Sequence, residues 1–182
     1  MKSALCAVLI LGSSAVSAVK PHQSLLDFAY GEVDEYASKG ERYRLQVPVK
    51  QGLYFIGAKT HFGSDDTAGD ANAKELGAGI YWDTADNSSM YLGYSKVDYE
   101  LSGVSLEEAD RYSIGWRSRL TNNVELNLEV KTTDHNILNL EERGYRIGGY
   151  YYLSQTAAVY LELDNDLDQD QVFLGVRFTT GR

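Results

Sequence analysis

Apolar and polar residues alternate without interruption from Val124 to Lys131, in the run Val-Glu-Leu-Asn-Leu-Glu-Val-Lys. Side chains of an extended chain point to opposite faces in turn, so one face of this segment is apolar and the other is charged. A helix would scatter both sets around its circumference. The pattern therefore predicts a β-strand that lies between an apolar and a polar environment.

The same alternation recurs along most of the chain and predicts roughly ten strands of about 8–11 residues each. Short turns alternate with connections that are usually longer. We therefore expect short turns at one end of the sheet and longer loops at the other. The short turns are 50–52, 85–87, 121–123 and 154–156, and the connections between them are 37–41, 63–74, 102–110, 136–144 and 165–170. This order predicts an all-β fold, a closed antiparallel up-and-down β-barrel of about ten strands, with eight as the alternative.

Composition supports long, curved strands in a single domain. The 182 residues include 14 tyrosines and 17 glycines but only 2 prolines, a balance that suits uninterrupted strands. The formal net charge is −9, and the sequence has no basic stripe, so we expect no nucleic-acid partner. No linker divides the chain, and the barrel is predicted to span residues 19–182.

The first 18 residues read as a secretory signal peptide. A positive start, Met1-Lys2, precedes an apolar run from Ala4 to Leu11, and small residues follow at 16–18. The run is too short for a transmembrane helix, which needs about 20 apolar residues. Cys6 lies inside this run, so the mature chain is predicted to carry no thiol and no disulfide.

The alternation does not say which face points inward, because a soluble lipocalin-like barrel and a membrane barrel differ only by inversion. Charges of both signs occur in the middle of strands, where they could pair inside a closed lumen. Tyrosine or tryptophan lies near the strand ends of the apolar face, as expected at a membrane–water boundary, at Tyr43, Tyr54, Trp82, Tyr112 and Tyr145. We therefore predict a transmembrane barrel with its apolar face toward lipid.

This orientation divides the strand residues into two predicted sets. The lumen lining is Arg44, Lys59, Arg111, Arg117, Arg119, Glu125, Glu129, Lys131, Arg146, Glu162 and Arg177. The lipid-facing set is Tyr54, Ile56, Leu76, Ile80, Trp82, Ile114, Trp116, Leu126, Leu128, Val172, Leu174, Val176 and Phe178.

The charged lumen has two possible roles, as the selectivity lining of a narrow pore or as a paired polar core. Ten strands enclose little space. Bulky residues share the predicted lumen, namely Phe55, Tyr81, Tyr91, Tyr150, Tyr152, Tyr160 and Phe173. We therefore expect a plugged or very narrow interior.

Three segments resemble strands of small outer-membrane β-barrels of Gram-negative bacteria, of the porin-like or OmpA-like kind. They are the last strand, 172–178, and the segments 93–98 and 146–153. The resemblance implies an outer-membrane location after signal-peptide-directed export. It also implies contact with outer-membrane lipid and lipopolysaccharide, and with the barrel-assembly machinery and periplasmic chaperones during biogenesis. We expect a monomer.

The sequence gives only weak indications of catalytic or metal-binding residues. The segment Asp164–Asp170 has oxygen ligands at alternate positions, but Gln169 replaces the glycine of a calcium loop and no glutamate closes it. We expect a solvated acidic turn there, and the same for Asp65, Asp66 and Asp70; at most, acidic outer loops hold divalent cations loosely beside lipopolysaccharide phosphates.

The three histidines, His22, His61 and His135, are interpreted as exposed polar residues. Asp134 and His135 are adjacent and would face opposite ways on a strand, and no His-x-Ser motif occurs. We expect no catalytic residue, no metal and no cofactor, and a structural or surface-interaction role with at most small-solute passage. The alternatives are an outer-membrane hydrolase acting on lipid or peptide at the outer rim, and a soluble periplasmic ligand-binding barrel.

Overall fold

The computed structural model describes residues 24–33, 38–50, 52–63, 70–135, 140–166 and 169–180. The predicted signal peptide, His22, Asp65 and Asp66 lie outside these residues. The strands are β1 Leu25–Val33, β2 Ser38–Lys50, β3 Leu53–Gly63, β4 Ala71–Ala85, β5 Ser88–Leu101, β6 Val104–Arg119, β7 Val124–His135, β8 Leu140–Tyr152, β9 Ala157–Asp166 and β10 Gln169–Thr179. The described part of the chain contains no helix that is long and apolar enough to cross a membrane.

Each strand pairs antiparallel with its neighbours in sequence, and β1 pairs with β10 to close the barrel. The predicted all-β, up-and-down barrel is thereby confirmed, with ten strands rather than eight. Closure gives every strand a neighbour on each side, so the backbone N–H and C=O groups in the middle of the barrel wall have ladder partners.

Both described termini lie at the end of the barrel that carries the tight turns. Leu25 is paired with Thr179, and the amide of Thr180 donates a hydrogen bond to the carbonyl of Ser24. We call this the short-turn end and the opposite one the open end.

The strands extend further toward the open end than the sequence pattern predicted. The predicted connection 102–110 is wrong, because β5 and β6 continue as a paired hairpin and only Ser102 and Gly103 form the turn. Both turn residues have positive φ, 50° and 79°, as a two-residue hairpin loop requires. Residues 38–41, 71–74 and 140–144 are likewise in strands. The sequence pattern missed this extension because both faces of these segments carry polar residues. The strands stay paired beyond the point where apolar and polar residues cease to alternate.

Alternate residues of each strand point into the barrel and away from it. In β7, Glu125, Asn127 and Lys131 are buried in the interior, whereas Leu128 and Val130 are exposed outside. The outer face carries a broad belt of exposed leucine, isoleucine, valine and aromatic side chains. The core of this protein is therefore polar, and its apolar surface is on the outside.

Candidate functional site

The charged interior of the barrel brings together nearly all of the residues predicted to line the lumen. Lys59 is the exception and lies on the outer face. Those that lie inside are Arg44, Arg111, Arg117, Arg119, Glu125, Glu129, Lys131, Arg146, Glu162 and Arg177. Those of the predicted lipid-facing set that lie on the outer face are Leu76, Ile80, Trp82, Ile114, Trp116, Leu126, Leu128, Val172, Leu174, Val176 and Phe178.

Strand β3 is turned the other way from its predicted orientation. Tyr54 is only 4% exposed and lies inside, whereas Phe55 is 52% exposed and lies outside. Ile56 lines an interior cavity together with Tyr54, so both of these predicted lipid-facing residues are corrected, as is Lys59. The error has a physical cause. The first half of β3, 53–58, is apolar on both faces, so alternation gives no contrast there and pairing with β2 and β4 decides the facing.

Six interior charged residues of the described ranges were not included in the predicted lining. They are Asp27, Arg42, Glu75, Glu142, Asp164 and Asp166. Each of them occupies an alternate position of its strand that faces the same side as the polar residues. The alternation of polar and apolar residues could therefore have identified them. The prediction of a solvated acidic turn fails for the first part of 164–170, because Asp164 and Asp166 are held by interior cations.

The cluster nearest the short-turn end joins the two strands that close the barrel. Arg177 donates to Asp27 through Nε at 2.7 Å and Nη2 at 2.8 Å, and to Glu125 through Nη1 at 3.1 Å. Arg44 reaches the same Asp27 at 2.8 Å. Tyr152 donates its hydroxyl to Glu125 at 2.9 Å. All of these groups are buried, so the ion pairs and hydrogen bonds of this cluster are shielded from bulk water.

A second cluster surrounds the adjacent carboxylates of β9, Glu162 and Asp164. Arg42 bonds to both of them, with Asp164 at 2.8 Å. Arg146 lies 3.2 Å from Glu162 and 2.9 Å from Asp164, and Lys131 lies 2.6 Å from Asp164. Arg44 also reaches Glu162 at 3.0 Å, so four cations neutralise these two buried carboxylates and offset the cost of holding them so close together.

The third cluster lies toward the open end. Arg111 donates to both oxygens of Asp166 at 2.8 Å, and it also contacts Tyr99 at 2.7 Å and Glu75 at 3.5 Å. Since the guanidinium group is a rigid planar donor, a single arginine here bridges three strands. The interior is thus cross-linked by ion pairs along its length.

Large interior aromatic rings pack closely against glycines of the barrel wall. A Cβ at Gly31 would fall 2.4 Å from the ring of Phe173, and one at Gly115 would fall 2.1 Å from the ring of Tyr91. On its other side, the ring of Phe173 supports the guanidinium of Arg42 at 3.8 Å. Tyr150 packs in a related way, against Gly148 of its own strand and against the guanidinium of Arg177 at 3.7 Å. Glycine, ring, guanidinium and carboxylate therefore form successive layers from the wall to the axis.

Two interior cavities are lined by described residues mainly of β2 to β6, and residues of β8 to β10 also line one of them. The larger, of about 110 Å³, faces the open end and includes Thr60 and Phe62, and the smaller, of about 30 Å³, lies beside Tyr54 and Tyr91. Both are lined by Arg44, Glu75, Arg111 and Arg146. The larger cavity is well below the roughly 300–1,000 Å³ of ordinary small-molecule sites, and is of a size for a few water molecules.

The two described histidines lie on opposite sides of the barrel wall. His61 is on the outer face with Nδ1 2.9 Å from the side-chain oxygen of Asn72. His135 is buried inside, stacked on Tyr99 with Nε2 3.4 Å from Glu142, so its interpretation as an exposed loop residue is wrong. Asp134 is exposed on the other face from His135, as its position predicted. The two imidazoles cannot act on one bond, and within the described ranges no group of three or more metal-ligating side chains is found.

No family model and no curated protein matches the chain. Solved structures match the chain over most of its length. A NanC porin matches at 10% identity and TM-score 0.59, and the match covers 85% of this chain and 99% of the NanC chain. A KdgM porin in complex with disordered oligogalacturonate matches at 13% identity and TM-score 0.53, covering 85% and 98%. A de novo designed transmembrane β-barrel matches at 12% identity and TM-score 0.51, covering 88% and 98%. The chain has the porin-like fold of the small outer-membrane β-barrels.

Proposed function

We propose that this protein is a non-enzymatic, monomeric outer-membrane β-barrel whose interior is closed by paired charges. The belt of exposed apolar side chains around the outer face supports a lipid environment, because water would meet this surface in a soluble barrel. Placing the short-turn end in the periplasm follows the usual arrangement of such barrels. In this proposal, export and assembly use the signal peptide, periplasmic chaperones and the barrel-assembly machinery.

The main support for a closed interior is the cluster in which Arg177 pairs with Asp27 and with Glu125 inside the barrel. Tyr150 and Tyr160 pack beside it at a ring distance of 5.0 Å and are almost fully buried. Only water and small ions have room along the β2–β6 side. The role that fits this geometry is structural or surface interaction, with passage limited to very small solutes.

The oligogalacturonate in the KdgM complex is an anionic sugar chain, and this barrel is a poor candidate for such a solute. Each described interior arginine lies within 4 Å of a carboxylate: Arg42, Arg44, Arg111, Arg117, Arg119, Arg146 and Arg177. A passing anion would have to displace these partners, which buried pairs resist. The paired interior therefore favours a polar core over a selectivity lining.

Planar-bilayer recording of the purified barrel tests this proposal. We expect no large, stable, stepwise currents from the wild type. The variant Arg44→Ser/Arg146→Ser removes two side chains shared by the cavities, while Asp27 keeps Arg177 and Asp164 keeps Lys131. We expect it to conduct small ions more than the wild type does.

The matched control removes two cations from the outside, in Lys96→Ser/Arg143→Ser, and it should conduct like the wild type. Large steps from the wild-type barrel would overturn the closed interior. Recovery of the protein from the periplasm without detergent would instead overturn the membrane location.

A further inference from the structure

The two interior cavities lie one behind the other along the same wall of the barrel. The larger cavity faces the open end, and the smaller lies beyond it toward the short-turn end, where Gln46 lines it. The side chains that border both spaces are Arg44, Glu75, Arg111 and Arg146. Since only side chains separate the two spaces, the cavities form an interrupted path that starts at the open end.

A row of small residues on the inner face of β4, β5 and β6 makes room beside the smaller cavity. Gly79, Gly93 and Ser113 are direct neighbours in this row, and Tyr54 is the partner of Gly79 on β3. A Cβ at Gly79 would overlap the ring of Tyr54, and one at Gly93 would fall 3.0 Å from its hydroxyl oxygen. The ring of Tyr54 therefore lies in a trough that is formed by absent side chains.

Two tyrosine rings end the smaller cavity on the side of the short-turn end. Tyr54 and Tyr91 both line this cavity, and their rings meet edge to face with centroids 6.3 Å apart. The next inward-facing ring of β4 toward the short-turn end is Tyr81, at 6.5 Å from Tyr54, and it is partly exposed. The buried barrier between the cavity and the short-turn end is thus about one layer of rings thick.

The two rings of this barrier are not held equally. Tyr91 donates its hydroxyl to Asn127 at 3.1 Å and to Glu129 at 2.8 Å. Within the described ranges, the hydroxyl of Tyr54 reaches only the backbone carbonyl of Leu92, at 3.4 Å, which is the long limit of a hydrogen bond. Tyr54 is therefore the weakly anchored part of the barrier.

The interior has no excess of either charge to offer a passing ion. Among the interior charged side chains named above for the described ranges, eight are cations and eight are carboxylates. An ion in a narrow path must exchange its hydration water for protein groups of opposite charge, and here those groups bind one another. A neutral molecule can form hydrogen bonds along the same wall without separating a buried ion pair.

We propose that this path carries water and the smallest neutral solutes past Tyr54 and excludes ions. The inference rests on the closed, membrane-embedded barrel proposed above and names the class of solute that such a barrel passes. Cavity size sets the upper limit of the solute, and the balance of paired charges selects neutral molecules. Tyr54 sets the rate, because its ring fills the trough at the end of the smaller cavity.

Stopped-flow light scattering of vesicles that contain the intact barrel tests the path, with water efflux and urea entry as the two readouts. We expect Tyr54→Ala to raise both rates several-fold over the wild type, whereas Tyr54→Phe, which keeps the ring, should behave like the wild type. Tyr54→Val, a smaller truncation with a side chain that suits strands, is measured in parallel. A heat-dependent shift in gel mobility, which reports folded barrel, verifies each variant.

The matched control is Phe55→Ala, which removes a ring from the outer face of the same strand and should leave both rates unchanged. Ala73 lines the larger cavity, so adding Ala73→Leu to Tyr54→Ala should reverse the gain. Unchanged rates in folded Tyr54→Ala and Tyr54→Val barrels would overturn the inference. A gain that persists with Ala73→Leu would also overturn it, because the solute would then bypass the larger cavity.

Planar-bilayer recording separates this inference from the proposal on which it rests. Tyr54→Ala should pass no more ionic current than the wild type, and currents as large as those of Arg44→Ser/Arg146→Ser would overturn the exclusion of ions. Large currents from the wild type would instead refute the closed interior itself.

Discussion

Asp27 and Arg177 are direct cross-strand partners at the seam where the first and last strands meet, 150 residues apart in sequence. The guanidinium of Arg177 donates hydrogen bonds to both carboxylate oxygens of Asp27, and both side chains are 1% exposed. A two-point ion pair of this kind has a strict geometry, so it favours the observed register of β1 on β10 over a slipped one. The pair therefore contributes to closing the barrel as well as to filling it.

Breaking this seam pair should destabilise the barrel. In Asp27→Asn, the buried Arg177 loses its main anionic partner but keeps Glu125, so we expect a loss of about 3 kcal/mol in the free energy of unfolding. Urea titration of the barrel refolded into lipid vesicles measures it. Asp98→Asn, an exposed aspartate on β5, is the control and should change stability by less than about 0.5 kcal/mol. Equal effects of the two substitutions would contradict the role of the seam.

The orientation of the apolar face can be tested at Leu128, in the middle of the outer face of β7. In lipid, Leu128→Arg should cost about 2–4 kcal/mol, because an arginine would enter the hydrocarbon. Leu128→Val is the matched control and should cost less than about 1.5 kcal/mol. Unfolding in vesicles measures both. If arginine were tolerated as well as valine, this face would not contact the membrane.

The layers of glycine, ring and guanidinium predict sharp intolerance at Gly31. An added Cβ would lie 2.4 Å from Phe173 and 2.6 Å from a backbone oxygen, so Gly31→Ala must displace the ring that supports Arg42. We expect a loss of about 1–3 kcal/mol. Gly149→Ala makes the same chemical change on the outer face, where no atom lies within 4 Å, and it should be nearly neutral. Near-neutral results at both positions would show that the ring is free to move.

The facing of β3 is open to a direct labelling test. Since Cys6 is the only cysteine of the chain, single cysteines can carry a spin label on the mature barrel. A label at Phe55→Cys should collide with oxygen dissolved in the lipid, whereas one at Ile56→Cys should be shielded from it, as their outer and interior positions require. The opposite result would restore the orientation that the sequence pattern predicted.

Alternation by itself determined the all-β barrel and the two sets of residues that share a face. The mid-strand charges and the aromatic residues near the strand ends then identified the polar set as the interior. A period of two is a local property, because each residue of a strand must face away from its neighbours. Where charged and apolar residues alternate, as in Val124 to Lys131, the sequence shows which residues share a face. The burial of alternate residues along β7 agrees with this division.

Only the tertiary structure decided the facing of β3, the length of the strands at the open end and the partner of each interior charge. Tyr54 and Phe55 are both apolar enough for either side, so their facing depends on hydrogen-bond pairing with β2 and β4. The partnership of Arg42 with Asp164 joins residues 122 apart in sequence, and it depends on how ten tilted strands are staggered as they close. Stagger is a property of the whole ring of strands, which no local pattern encodes.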